Sequence, residues 1–511
     1  MIVAPSPATL RDPLASRARR SGGRLALVDP AAGVRWGWRD LDAAAEAVAG
    51  QLAGRGVGRG DRVALLEPAG ATFAAVLHGC LRLGAALVPL SPRSPGPDGA
   101  AALAATAPCL VLAGPAGMAA ALAAAGGRGP AAPPVLGIGG AEGPAGRLED
   151  GPSRPPQGPR GLPAGADCCL LRTSGTSGTP KVVRLTLGNH RASALGCQQS
   201  LGLTGADHWL LTLAPHHVGG LAILLRSVIL GQPVTTVPGF EEGAVVDALR
   251  AERPTVVSLV PTMLHRLVDA GGAAAVAALR AILLGGAPAP PAAVARWVAA
   301  GLPVCPSYGL TESCSQVTVV PPGRAAECPG SAGWPHGGVR LAIRRDGAGP
   351  TWADPGEVGQ IVIAGPVVSP GYLGGRARPV RRRGPLVTGD RGRLLADGRL
   401  EVVGRADDAL LTGGELVQPD EVEMVLRAHP AVADAAVVGE ADPLWGTTLL
   451  GLVVAPTATP EELVAWCRAR LPSAKVPRRV RLVGALPRSE GGKLLRRALA
   501  ALPDSGRLSS R

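Results

Sequence analysis

The sequence predicts an α/β protein: a large N-terminal part of mixed, mostly parallel sheets flanked by helices, a β-rich stretch, and a small module at the tail. Three observations carry this reading. Short apolar runs alternate with helical patterns over residues 40–92 and 168–340, the signature of strands joined by crossover helices. Residues 341–404 are β-rich and carry turn signals such as Asp397-Gly398. Composition shifts after Gly404-Arg405, and a chain of 511 residues exceeds one ordinary core, which is usually about 100–200 residues.

In chain order, residues 41–52 show helical apolar spacing, 62–66 read as a short strand, 73–83 as a helix and 86–90 as a strand. Residues 99–127 carry no charge, but they are Ala/Gly-dominated and broken by Pro108 and Pro115, so a membrane-spanning helix is rejected. Pro and Gly crowd residues 128–165, which predicts a loop or linker. Strands are expected at 168–171, 209–213, 256–260 and 281–284. In the tail, 407–502, strands are expected near 435–438 and 449–454, with helices near 419–428 and 460–471.

Composition narrows the function class. Apolar residues make up 46% of the chain, which excludes a disordered protein. Mean hydropathy is +0.22, driven by Ala and Gly. Arg11, Arg17, Arg19 and Arg20 interrupt any leader-like layout at the N-terminus, so a soluble cytoplasmic protein is expected, with no membrane partner. The nine cysteines are odd in number and form no C-x-x-C pair. That argues against a disulfide framework and against a zinc site, and for reduced, mostly buried thiols. Net charge is +13. The chain has 8 Trp, 2 Tyr and 2 Phe, too few to interleave with a basic surface; nucleic acid is therefore not expected as a partner, and the charge suits anionic ligands such as nucleotides and CoA.

Of 52 basic residues only three are lysine: Lys181, Lys475 and Lys493. A lysine kept in so arginine-rich a chain suggests a need for a compact point charge. Lys181 closes Thr173-Ser174-Gly175-Thr176-Ser177-Gly178-Thr179-Pro180-Lys181. Glycines there let backbone N–H groups approach an anion, and five hydroxyls with one lysine suit the β- and γ-phosphates of a nucleotide. This is not the Walker pattern, because no Ser or Thr follows the lysine. Ser307-Tyr308-Gly309-Leu310-Thr311-Glu312 sets a flat ring, a tight turn, a hydroxyl and a carboxylate within six residues: Tyr308 suits stacking on a base, Thr311 a phosphate, and Glu312 Mg²⁺. Asp390, in Thr388-Gly389-Asp390, suits ribose hydroxyls, and Arg405 suits ribose or phosphates. Pro487 to Lys493 presents one lysine on a glycine turn. Read singly, Asp390 and Arg405 would be a turn aspartate and a surface arginine, 173–181 a Ser/Gly linker, 307–312 a strand-to-helix turn, and Lys493 part of a solvated tail.

In this order and spacing, these stretches resemble the adenylate-forming superfamily of acyl-CoA synthetases, peptide-synthetase adenylation domains and luciferases, over nearly the whole chain from Asp12 to Lys493. Within it the chain is most similar to o-succinylbenzoate–CoA ligases of menaquinone or phylloquinone synthesis, through residues 217–228, 258–264 and 307–316. Val182 stands where a small residue is usual, Leu187 where His is usual, and His216 where an aromatic is usual.

The resemblance implies an N-terminal ATP- and acyl-binding domain, 1–406, and a small mobile C-terminal domain, 407–511, hinged at Asp407. It implies ATP and CoA as substrates with a small carboxylic acid, and Mg²⁺ held by Glu312 and Thr176. Thr173, Ser174, Gly175, Thr176, Ser177, Gly178 and Lys181 would hold pyrophosphate. Gly285, Gly286, Ala287 and Pro288 would line the adenine and acyl pockets. Tyr308 would flank adenine, Thr311 would meet the α-phosphate, and Asp390 and Arg405 would bind ribose. Lys493 would contact the carboxylate and α-phosphate during adenylation. His217 would sit at the acyl pocket beside the thiol tunnel, with His216, Ser307 and Ser313 around that pocket, and Gly413 and Gly414 would border the tunnel. Arg226, nine residues after His217, is a candidate reader of a second substrate carboxylate, against the alternative of a helix-surface arginine. Acyl-CoA synthetases of other specificity, enzymes that load a carrier protein, and a homodimeric assembly stay open.

Overall fold

In the computed structural model the described residues are 9–93, 96–126, 132–155, 161–173, 181–345, 351–374, 379–382, 384–408, 410–412, 415–442, 446–488, 494–499 and 502. Two large sheets dominate. In the first, Ala86–Pro89, Arg62–Leu66, Leu110–Ala113 and Val135–Gly137 run parallel, and Asp167–Thr173 joins them before the antiparallel strands Lys181–Thr186, Gly371–Leu373 and Pro379–Arg381. In the second, Val304–Leu310, Ala281–Leu284, Val256–Leu259, Trp209–Leu211, Val234–Thr236 and Leu25–Asp29 run parallel. Antiparallel strands close both edges.

The main core lies between these sheets. Val63 and Leu65 of the first and Trp209 and Leu211 of the second are bridged by buried residues of the helices Trp38–Gly54, Ala71–Leu83, Leu187–Leu201 and Val218–Leu230. Parallel strands covered on both faces read as continuous apolar runs rather than alternating ones. That is why 62–66 and 281–284 were legible: both coincide with observed strands. The uncharged stretch forms two short helices, Gly96–Thr106 and Met118–Gly126, around the buried strand Leu110–Ala113. No helix among the described residues is long and apolar enough to cross a membrane.

The β-rich stretch is an antiparallel sheet ordered Arg340–Arg344, Gly359–Ala364, Leu386–Leu394, Leu400–Arg405. The tail has its own core, in which Val422 and Leu426 of helix Pro419–Arg427 and Leu463 of helix Pro460–Arg468 cover the sheet of Asp434–Asp442, Gly446–Val454 and Arg479–Leu482. One expectation needs correction. Residues 128–165 are not all loop: Val135–Gly137 extends the first sheet, and Gly161–Pro163 pairs with Thr9–Arg11. Three-residue strands are too short to show a period and are held by their partners.

Candidate active site

Two of the sequence motifs, 285–288 and 307–312, lie beside each other at the carboxyl ends of parallel strands, where open α/β sheets bind ligands. Ala281–Leu284 ends at Gly285-Gly286-Ala287-Pro288, and Val304–Leu310, its parallel neighbour, carries Ser307 and Tyr308. The Ser307 hydroxyl donates to the Leu284 carbonyl at 2.9 Å. A Cβ at Gly285 would lie 2.7 Å from that Oγ, so only glycine admits this contact.

Residues 307–312 do not form a strand-to-helix turn. The strand passes through a 3₁₀ turn, Thr311–Ser313, and returns as Ser315–Val319. The reversal is tight: Cys314 and Ser315 take φ of 56° and 91°, a region that non-glycine residues rarely occupy. A Cβ at Gly309 would stand 2.1 Å from the Ser315 carbonyl oxygen. Ser313 holds the turn, its hydroxyl accepting from the Leu310 N–H at 3.1 Å and donating at 3.0 Å toward the carbonyls of Leu310 and Ser315.

Two polar chains run from this hairpin. In the first, the Tyr308 hydroxyl donates to Asp390 Oδ2 at 2.7 Å, and Arg405 Nη1 pairs with Oδ1 at 3.0 Å. Asp390 and Arg405 face each other across Leu386–Leu394 and Leu400–Arg405. Thr388 steadies the turn by accepting from the Asp390 N–H at 3.1 Å. Burial first, then the Asp390 charge, raises the Tyr308 hydroxyl well above its usual pKa, so it stays a donor. Each Asp390 oxygen keeps a lone pair for a ribose hydroxyl.

In the second chain, the Tyr372 hydroxyl donates to Glu312 Oε1 at 3.1 Å. Lys181 Nζ lies 5.6 Å and the Arg382 guanidinium 5.5 Å from the Tyr372 ring centroid, at cation–π range. Lys181 pairs with Thr173 where the antiparallel strands Asp167–Thr173 and Lys181–Thr186 end and begin. Glu312, Lys181 and Arg382 thus converge on one tyrosine, a hard oxygen donor between two cations. Sequence reading missed Tyr372 and Arg382. The scarcity of tyrosine was a signal for the first, whereas Arg382 sits in a basic run that looks like surface.

His217 caps the helix Val218–Leu230 at the carboxyl end of Trp209–Leu211, and its ring lies 4.4 Å from that of His216. Arg226 is on the same helix, about 13–14 Å further along at 1.5 Å per residue. It is not on the helix surface: its residue exposure is 2%. Its Nη2 donates to Gln316 Oε1 at 3.2 Å, an oxygen that also accepts from the Ser315 hydroxyl at 2.7 Å, and its Cζ lies 5.0 Å from the Trp209 ring centroid. Nε and Nη1 have no hydrogen-bond partner, and no carboxylate among the described residues pairs with it. Thr311 opens the 3₁₀ turn, and Asp407 lies in another, Ala406–Asp408. Ser174, Gly175, Thr176, Ser177, Gly178, Gly413, Gly414 and Lys493 lie outside the described residues.

Fold and comparisons together define the class: an α/β enzyme that takes a nucleotide. The AMP-binding enzyme model matches residues 14–373, and the AMP-binding enzyme C-terminal domain model matches 421–493. The chain belongs to the AMP-binding enzyme family. It is 39% identical over 338 residues, 65% of this chain and 69% of the relative, to the 2-succinylbenzoate–CoA ligase of Bacillus cereus (strain ATCC 10987 / NRS 248). Among solved structures, o-succinylbenzoate CoA synthetase from Bacillus subtilis in complex with its acyl-adenylate intermediate matches with TM-score 0.86 and 31% identity, over 97% of this chain and 99% of that one. The same enzyme with ATP and magnesium ion matches with TM-score 0.84 and 31% identity, over 96% and 100%.

Proposed function

We propose that the chain is an ATP-dependent acid–CoA ligase that converts 2-succinylbenzoate to 2-succinylbenzoyl-CoA through an acyl-adenylate, the step of menaquinone or phylloquinone synthesis that the resemblance implies. The observation that carries the adenylation chemistry is the convergence of Tyr308–Asp390–Arg405 and Lys181–Tyr372–Glu312 on one hairpin. The substrate reading is supported by relatives of that name and by the buried, carboxylate-free Arg226.

A carboxylate is a poor electrophile. One substrate carboxylate attacks the α-phosphorus of ATP and pyrophosphate leaves, giving a mixed anhydride whose acyl carbon is activated. The CoA thiol then attacks that carbon and AMP leaves. The first transition state spreads negative charge over phosphoryl oxygens, so catalysis is mainly electrostatic and positional. Lys181 and Thr173 border the pyrophosphate, Thr311 faces the α-phosphate, and Lys493 supplies a compact cation between the acid and that phosphate. Asp390, held by Tyr308 and Arg405, accepts the ribose hydroxyls. Glu312 and Thr176 would hold Mg²⁺, and the Glu312 carboxylate offers hard oxygen of the kind this ion takes; the ion would neutralise phosphate charge. Arg226 answers the second carboxylate, which must be recognised and left unactivated, with Ser307, Ser313, His216 and His217 around the acyl pocket.

The separate core of the tail supports two bodies, 1–406 and 407–511, alternating about Asp407. One withdraws Lys493 so that Gly413 and Gly414 line the way for the thiol. ATP and CoA as substrates support a cytoplasmic setting, and light scattering decides between monomer and homodimer. The test is pyrophosphate release from ATP and Mg²⁺ with 2-succinylbenzoate, benzoate, octanoate and amino acids, with and without CoA, and mass detection of the thioester. CoA-dependent turnover of 2-succinylbenzoate alone is expected. Turnover of another acid keeps the enzyme class and discards this substrate.

A further inference from the structure

Beside the nucleotide groups lies a cluster that the adenylation chemistry does not use. Cys168 and Cys169 are neighbours on Asp167–Thr173, and in a regular strand their side chains would point to opposite faces. They do not. Leu185 pairs with Cys169 but Thr186 pairs with Asp167, so the register slips and Cys168 faces no partner residue. Such a bulge re-aims side chains, and the two Sγ atoms lie 3.6 Å apart. His190 reaches them from the first turn of the helix Leu187–Leu201, which Thr186 caps. One donor atom each of Cys168, Cys169 and His190 lie within 4.8 Å of one another. Cys314, turned inward by its left-handed backbone, brings its Sγ to 3.3 Å from His190 Nδ1. All four residues are buried, the cysteines at 0% and the histidine at 2%.

Three donors already stand together; with Cys314 drawn in from outside that group, three thiols and one imidazole are the donor set of a closed tetrahedral site for a borderline-soft cation. The histidine is suited to such a role. Its Nε2 is buried with no hydrogen-bond partner, while Nδ1 meets the Cys314 thiol, so the ring is a buried polar group with unused capacity that a cation would satisfy. We propose that Cys168, Cys169, Cys314 and His190 form a structural Zn²⁺ site. Binding forms three Zn–S bonds and one Zn–N bond, the three thiol protons pass to solvent, and His190 binds neutral. Four protein donors leave no open position for substrate. The site is a staple: it ties the strand that runs to Thr173 and the phosphate loop, in the first sheet, to the turn that carries Glu312, at the edge of the second.

The test is metal content of the full chain made in zinc- or cobalt-supplemented medium. About one ion per chain is expected, with thiolate-to-cobalt charge transfer and the ligand-field bands of tetrahedral cobalt. Cys169→Ala and Cys314→Ala should each abolish those bands, while Cys467→Ala, whose residue sits in the core of the tail, should keep them. Chelation should lower the thermal midpoint of wild type and leave that of Cys169→Ala unchanged. The proposal is overturned if wild type is purified metal-free and takes up no Zn²⁺ on anaerobic refolding against a chromophoric chelator. Equal loss in Cys467→Ala also overturns it, since that marks adventitious thiol binding. Should a variant fail to fold, the cobalt spectrum of wild type decides alone.

Discussion

Arg82 and Arg226 are two deeply buried guanidinium groups of the N-terminal region, and they are treated in opposite ways. Arg82 joins the helix Ala71–Leu83 to its neighbours through three acids, Asp12 at 2.9 Å, Asp42 at 2.5 Å and Glu46 at 2.7 Å. Arg496, in the tail, follows the same plan with Asp408, Asp420 and Glu423. Arg226 has an amide, an indole face and two unpartnered nitrogens. Burying an unpaired cation costs several kcal/mol. Arg82 and Arg496 bring their acids with them; Arg226 brings none among the described residues. That difference supports the proposal that its counter-charge comes from outside the described residues, as a substrate carboxylate.

The largest effect should come from breaking the structural example. Arg82→Met strands three carboxylates and should lower unfolding free energy by about 3–5 kcal/mol in urea titration. A loss below 1 kcal/mol would erase the contrast with Arg226. Next, Glu312→Gln removes the charge proposed to face Mg²⁺ without changing shape. It should lower kcat/KM about 100–1000-fold, roughly 3–4 kcal/mol of transition-state stabilisation, with the thermal midpoint unchanged. Arg226→Met should separate the two kinds of arginine. Its stability should be unchanged or higher by about 1–2 kcal/mol, because an uncompensated buried charge is removed, while KM for the dicarboxylate rises about 50-fold.

Glu67 is the acidic mirror of Arg226 and gives the smallest effect. Its Oε2 is buried without a partner. Burial first and the Asp29 charge second raise its pKa to about 7, against the pull of the Gly114 N–H. A carboxyl whose folded value lies above its unfolded value binds more protons folded than unfolded between the two, so stability falls as pH rises through that window. The cost is absent below about pH 4.5 and complete above about pH 7. Glu67→Gln should therefore stabilise the protein at pH 8 by about 1–2 kcal/mol and change nothing at pH 4. Equal effects at both values would show that its charge is not the cause.

Much of this was written locally. Strands 62–66 and 281–284 are runs of buried aliphatics between turn residues, and the helix Pro419–Arg427 opens on proline with Asp420 and Glu421 in its first turn, the pattern that marks a helix start. The 307–312 motif was visible as chemistry, but not as a hairpin, because the positive φ at Cys314 and Ser315 is imposed by packing and has no sequence cue. Arg226 had a cue that was underweighted: it is the single charge in an otherwise apolar helix. Tyr372 reaches Glu312 from a strand 60 residues away, and Arg382 donates to the Tyr372 hydroxyl from just past the next strand; no local pattern encodes such a meeting. Cysteine spacing argued against a metal site, and the bulge at Leu185/Thr186, a tertiary feature, is what turns two adjacent thiols to one side.

The central claim is that a buried cation with no carboxylate partner among the described residues reads the second substrate carboxylate. It is tested most directly by comparing 2-succinylbenzoate with an analogue whose non-reacting carboxylate is a methyl ester, in wild type and in Arg226→Met, by ATP-dependent pyrophosphate release. The account predicts a strong preference for the free acid in wild type, about 50-fold or more in kcat/KM, and near-equal use of both by the variant. An undiminished preference in the variant would contradict it.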